Sequence, residues 1–138
     1  MVGNLGGNLA IKLVRVKIEM ASKRQKIADK DRYSIIVPNF KTCYVCGSSN
    51  RICIHECFYG VSNRQKSIND GLCLPLCYEH HQGSNGIHYN KALDDKVKKQ
   101  AEKIWIKTYC DEDLTPEEKI EQFIKRYGQN YLNEEDLW

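Results

Sequence analysis

The chain has no run of about 18 consecutive apolar residues, the length that a membrane-spanning helix needs. Its first apolar stretch is interrupted by Lys12, Arg15, Lys17 and Glu19, so neither a secretory signal nor a membrane anchor is predicted. Internal repeats and low-complexity segments are also missing, and 138 residues are too few for two substantial domains. We therefore expect one compact cytoplasmic unit with appendages.

Composition excludes wholesale disorder, because 41% of the residues are hydrophobic and 28% are charged. The charge is uneven along the chain. Residues 1–41 carry nine Lys and Arg against three Asp and Glu, and residues 111–138 carry the reverse. A basic N-terminal arm of this kind suits a polyanion such as nucleic acid, or forms an ordinary solvated face.

Four short segments have strand patterns. Apolar and charged residues alternate in Val14–Met20, and a second strand is predicted over Tyr33–Val37, before a proline. Ile52–Ile54 and the apolar run Gly71–Leu76 predict two more strands. These segments favour an α+β fold.

Two helices are predicted near the C-terminus. Apolar residues recur every three or four positions over Lys91–Tyr109, as in an amphipathic helix. Thr115 and Glu118 have the spacing of a capping box, and Gly128 stands where the second helix should end.

Cysteine and histidine are concentrated between Cys43 and His88, which hold six of the seven cysteines and all four histidines. Without a secretory signal, paired cysteines indicate metal binding more than disulfides. Cys43-x2-Cys46 and Cys77-x2-His80 are two matched pairs and predict a closed structural zinc site. A rival ligand set replaces His80 with Cys73, although Cys73 also fits a buried strand.

If His80 closes that site, three imidazoles are left over. His55 lies at the end of a predicted strand, His81 in a helix that begins near Tyr78, and His88 beyond a glycine-containing loop. We expect this order of strand, helix and loop to bring them together around a second metal ion.

The same residues resemble a known family, the HNH nucleases of the ββα-metal type. The resemblance is closer still to phage-borne members of the phage recombination-enhancement nuclease family, and it covers about residues 42–132. The matching elements are Cys43-x2-Cys46, Ile54-His55-Glu56, Gly60, Asn63-Arg64, Ser67, Gly71-Leu72, Pro75-Leu76-Cys77-x2-His80-His81, Ile87-His88 and Phe123–Leu132.

The resemblance implies metal-dependent cleavage of phosphodiester bonds in DNA, with Mg²⁺ or Mn²⁺ as the catalytic ion. Many family members have His-His where this chain has His55-Glu56. Either His55 binds metal and Glu56 is the base, or His55 is the base and only His81 and His88 hold the ion.

Other site assignments follow from the same alignment of motifs. Asn63 is the better match to the family's middle asparagine, with Asn69 second. Arg64 and Lys66 are candidate contacts to phosphates.

The resemblance also indicates how the chain is divided into segments, where the protein acts and which partners it has. We expect residues 1–41 to form the basic arm or small strands, 42–110 a zinc-stabilised ββα-metal core, and 111–138 a C-terminal helix packed on that core. The two C-terminal helices are additions to the core. The protein is expected in the cytoplasm of a bacterial host, encoded by a phage or prophage, with DNA and possible recombination proteins as partners.

Two functions of other classes compete with the nuclease. One is a zinc-stabilised DNA-binding or recombination accessory module without turnover, which the His-Glu pair and the basic arm favour. The other is a small zinc-ribbon scaffold for protein contacts.

Overall fold

The computed structural model describes residues 26–136, which form an α+β fold with a two-stranded sheet and four α-helices. The elements follow the order β1 (Ile52–Glu56), α1 (Asn63–Asp70), β2 (Cys73–Cys77), α2 (Tyr78–His81), α3 (Lys91–Tyr109) and α4 (Pro116–Tyr127). Short 3-10 turns occupy Asp29–Asp31 and Glu134–Asp136. The α+β class is confirmed, whereas the strand predicted over Val14–Met20 lies outside the described residues.

Strands β1 and β2 pair antiparallel, in a register that runs from Ile52 opposite Cys77 to Glu56 opposite Cys73. Their connection contains α1, which the sequence analysis did not predict because Ile68 is its only large apolar residue. The helix ends at Gly71, whose φ of 77° suits glycine, and a Cβ there would lie 2.6 Å from the Tyr33 ring.

The segment Tyr33–Val37 was predicted as a strand, and this prediction is wrong. The hydroxyl of Ser34 accepts hydrogen bonds from the backbone N–H groups of Ile36 and Val37, at 3.0 and 3.1 Å. A side chain that bonds its own backbone bends the chain and competes with a sheet ladder. The Ile35 N–H donates to the Gly71 carbonyl at 2.8 Å, which packs the bent segment against the turn after α1.

Both C-terminal helices are confirmed. Asn90 caps α3 by accepting from the Leu93 N–H, and the Thr115–Glu118 capping box begins α4 with both of its hydrogen bonds formed. Phe58, Trp105, Phe123 and Tyr127 pack their rings together between these helices. None of the helices in residues 26–136 combines the length and apolar character that crossing a membrane requires.

The carboxylate of Asp70 joins α1 to both C-terminal helices, and it is fully buried. It accepts from the Trp105 indole at 2.8 Å, the Tyr127 hydroxyl at 2.7 Å and the Arg126 guanidinium at 2.6 and 3.0 Å. The Tyr109 hydroxyl donates to the Asp70 carbonyl at 2.7 Å. One carboxylate therefore organises polar groups from both long helices.

Replacement of Asp70 by Asn tests this arrangement. The variant leaves the largely buried Arg126 cation without a counter-charge, so we expect the free energy of unfolding to fall by about 3 kcal/mol in chemical denaturation. The control is Asp95→Asn, which breaks an exposed pair with Lys91 and should cost about 0.5 kcal/mol or less. Equal losses in the two variants would contradict the role of Asp70.

Glu102 is a second buried carboxylate, on α3. One of its oxygens accepts from the Tyr131 N–H at 2.7 Å, and the other has no hydrogen-bond partner among the described residues. Burial raises the pKa of Glu102 to about 7 against the hydrogen bond from Tyr131, and the charge of Asp136 adds to the rise. The folded protein therefore holds a proton here that the unfolded chain loses near pH 4.5.

This proton makes stability depend on pH. The contribution of Glu102 is fully present below about pH 4.5 and is lost as pH rises through about 7. We expect the free energy of unfolding of Glu102→Gln, relative to that of the parent protein, to rise by about 2 kcal/mol when the pH is raised from 5 to 8. Chemical denaturation of both proteins at the two pH values measures the gain, and the metal sites they share cancel in the difference. A difference that does not change with pH would contradict the assignment.

Candidate functional site

The first group of metal-ligating residues joins the chain before β1 to the end of β2. Cys43 and Cys46 lie on a turn closed by the Gly47 N–H, which donates to the Cys43 carbonyl at 2.8 Å. Cys77 is the last residue of β2, and His80 lies one helical turn later in α2. The Tyr44 N–H donates to the Pro75 carbonyl at 2.8 Å, which holds the turn against β2.

These four residues, the Cys3His group, have the dimensions of a tetrahedral site. The Cys46 and Cys77 sulfurs are 3.8 Å apart, and His80 Nδ1 lies 3.3 Å from Cys77 Sγ and 3.8 Å from Cys43 Sγ. Zinc–ligand bond lengths imply edges of about 3.8 Å between sulfurs and about 3.5 Å between sulfur and nitrogen. The group can therefore hold a structural metal such as zinc.

The electrostatics of the Cys3His group favour a thiolate. Burial opposes charge on Cys43, but backbone N–H groups at Cys77, Cys46 and Val45 outweigh it and lower the pKa of the Cys43 thiol to about 6. The rival ligand Cys73 is outside the group, and burial raises its pKa to about 12. The group of residues that can hold a metal is thus the one with His80, and the alternative set with Cys73 is not assembled.

A second group, the histidine cluster, consists of His55, His81 and His88. One ring nitrogen from each lies within 4.8 Å of the others, and the Nε2 atoms of His81 and His88 are 3.2 Å apart. His55 comes from the buried end of β1, and His81 ends α2. The loop to His88 is anchored by the buried Ile87, whose N–H donates to the His80 carbonyl at 2.8 Å.

The imidazoles of the cluster are suited to bind a cation. Burial, with His81 and His88 as neighbours, lowers the pKa of His55 to about 3, so its ring is neutral at pH 7. Burial and His88 also lower the pKa of His81. Within residues 26–136, His55 Nε2 and His81 Nδ1 are buried and have no hydrogen-bond partner. Buried nitrogens of this kind normally have a partner, and a metal ion held by the cluster would be a partner for a nitrogen that points to it.

Glu56 does not join the histidine cluster. Successive side chains of a strand point to opposite faces, so Glu56 leaves the sheet on the side away from His55. Its two oxygens pair with Arg32 at 3.0 Å and with Arg64 at 2.8 Å. Arg64 also pairs with Asp29 at 2.7 Å. Glu56 and Arg64 are therefore both held in a network of ion pairs.

The remaining candidate site residues make structural contacts. The Asn63 side-chain amide donates to the Tyr127 carbonyl at 3.2 Å, and Lys66 donates to the Arg126 carbonyl at 2.9 Å. The side-chain oxygen of Asn69 accepts from the Ile27 N–H at 3.1 Å. These contacts link α1 to α4 and to the preceding chain.

Three further residues adjoin the histidine cluster and were not predicted. The Tyr59 ring centroid lies 5.2 Å from that of His88, and its hydroxyl donates to Asp94 at 3.0 Å. Lys98 pairs with Asp94 at 2.8 Å and lies 4.6 Å above the Tyr59 ring. Asp94 and Lys98 have the i,i+4 spacing of a helix ion pair, but no spacing pattern links them to Tyr59 or to the histidines, because these groups meet only through the packing of α3.

Comparison with known proteins finds no matching family model, no matching curated protein and no matching solved structure. The chemistry assigned to the Cys3His group and the histidine cluster rests on their own side chains and geometry.

Metal removal tests the Cys3His group. A structural zinc contributes on the order of 10 kcal/mol to the folding of small modules, so a strong chelator should lower the melting temperature and release about one equivalent of zinc. Cys46→Ser should reduce the zinc content in the same way. Cys53→Ser is the matched control, because Cys53 is exposed and outside both groups. A thermal melt that is indifferent to chelator contradicts a structural metal.

Proposed function

We propose that this chain is a metal-dependent DNA endonuclease that hydrolyses phosphodiester bonds, encoded by a phage or prophage and linked to DNA recombination. The observation that carries the proposal is the convergence of His55, His81 and His88 beside a separate Cys3His group. Two antiparallel strands followed directly by α2 agree with an HNH core of the ββα-metal type. The family resemblance of residues 42–132 supports the same assignment.

The residues present fit a divalent ion. Held by the histidine cluster, such an ion would neutralise charge on the scissile phosphate and lower the pKa of a bound water. Nitrogen ligands suit zinc, nickel, copper and iron more than magnesium, which prefers oxygen. We therefore infer that zinc or another transition metal activates the protein better than Mg²⁺.

The surroundings of His55 and Glu56 bear on the two catalytic schemes left open by the sequence. Glu56 pairs with two guanidiniums on the other face of β1, away from the histidine cluster where an activated water would lie. His55 is buried, and its low pKa makes it a weak proton acceptor but keeps the lone pair of one ring nitrogen available at pH 7. We infer that His55 is a third ligand, together with His81 and His88.

Plasmid nicking tests the proposal. Purified protein should nick supercoiled DNA when supplied with zinc, nickel or cobalt, and His88→Ala should lower the rate at least about hundredfold through loss of a ligand. His88→Ala should also reduce binding of the second metal equivalent in calorimetry, while the Cys3His zinc stays bound. If the plasmid stays supercoiled with every metal tested, the proposal is contradicted.

Glu56→Gln separates the two schemes. If Glu56 were the base, this variant would lose nicking and keep both metal ions. We expect nicking to persist, and a thermal melt verifies that the variant remains folded. His55→Ala should instead lose the second metal, which distinguishes a ligand from a base.

A non-catalytic DNA-binding module is the second candidate, and one observation favours it. Glu56 is turned away, and no other carboxylate of the described residues joins the three histidines. Such a module would bind DNA in a salt-sensitive manner without nicking, because phosphate contacts release counterions.

A further inference from the structure

Two tyrosines flank His88, and both are exposed. Tyr89 directly follows it in the chain and is 71% exposed, and Tyr59 is 39% exposed with its ring centroid 5.2 Å from that of His88. Exposed aromatic rings next to the histidine cluster indicate a contact surface for a ligand with an apolar face.

The two rings are held differently. The Tyr59 hydroxyl is bonded to Asp94, and Lys98 covers the ring, so this side chain is fixed in place. The Tyr89 side chain has no hydrogen bond and no ring contact with any residue from 26 to 136, and its backbone N–H is held by the Gly86 carbonyl at 2.9 Å. Its ring is therefore presented to solvent from a fixed backbone position.

The cation next to the histidine cluster, Lys98, is engaged within the protein, because it pairs with Asp94 and lies over the Tyr59 ring. Arg32 and Arg64 pair with Glu56 on the opposite face of β1. Affinity for a duplex depends largely on cations that contact phosphates. In contrast, a free aromatic ring stacks on a base whose face is open, and a base pair within a duplex hides that face.

We propose that Tyr89 stacks on an unpaired base next to the histidine cluster, so that the preferred substrate is single-stranded or locally unpaired DNA. This inference rests on the proposed function for its choice of DNA, and it adds the strand state of the substrate.

Fluorescence anisotropy tests the proposal, with a labelled 20-nucleotide single strand and the corresponding duplex, without added catalytic metal. The parent protein should bind the single strand more tightly. Tyr89→Ala should weaken single-strand binding about tenfold and leave duplex binding unchanged, because base–aromatic stacking contributes energy of that size. Tyr89→Phe keeps the ring and should bind like the parent protein.

Val61→Ser is the control for general loss of exposed apolar surface, and it should leave binding of both DNA forms unchanged. The proposal is overturned if Tyr89→Ala binds single strands like the parent protein, or if Tyr89→Phe is as weak as Tyr89→Ala. An equal loss on single strand and duplex also overturns it. Thermal melts should match in all four proteins, since both positions are exposed.

Failure of this inference and failure of the proposed function give different results. A protein that binds single strands through Tyr89 but nicks nothing contradicts the nuclease and leaves the stacking site intact. A protein that cleaves duplex and single strand equally, with Tyr89→Ala unaltered, contradicts the stacking site and leaves the nuclease intact.

Discussion

The Cys3His group is the constraint on which the functional part of the molecule depends. It ties the Cys43–Cys46 turn to the point where β2 ends and α2 begins. A two-stranded sheet is marginal by itself, and a four-residue helix cannot persist alone. A metal held by these ligands would supply the folding energy that so small a unit lacks. The position of α2 follows from the ligands Cys77 and His80.

The adjacent pair His80-His81 couples the structural site to the candidate catalytic one. His80 points to the sulfurs, and the next residue carries its ring to His55 and His88. Any change that moves the Cys3His group therefore also moves the His81 ring of the histidine cluster.

The C-terminal helices support this unit through a polar junction as well as an apolar one. Asp70 holds indole, phenol and guanidinium groups from α3 and α4, while the aromatic rings pack around them. A buried carboxylate is costly unless each of its lone pairs is used, and here the donors are sufficient. The same helix α3 supplies Asp94 and Lys98, which fix Tyr59 beside the histidine cluster.

Local chemistry in the sequence predicted the pairs Cys43-x2-Cys46 and Cys77-x2-His80, the helix bounds of α3 and the capping box of α4, because each depends on residues a few positions apart. The choice of His80 over Cys73 came from the structure. The convergence of the three histidines was also inferable, since strand, helix and loop follow in order. Only the tertiary structure decided the direction of Glu56 and the partners of Arg64, Asn63 and Lys66. Apart from the Arg64–Glu56 pair, those contacts join segments about 25 to 65 residues apart. Side-chain alternation on β1 separates Glu56 from His55 although the two are neighbours in the chain.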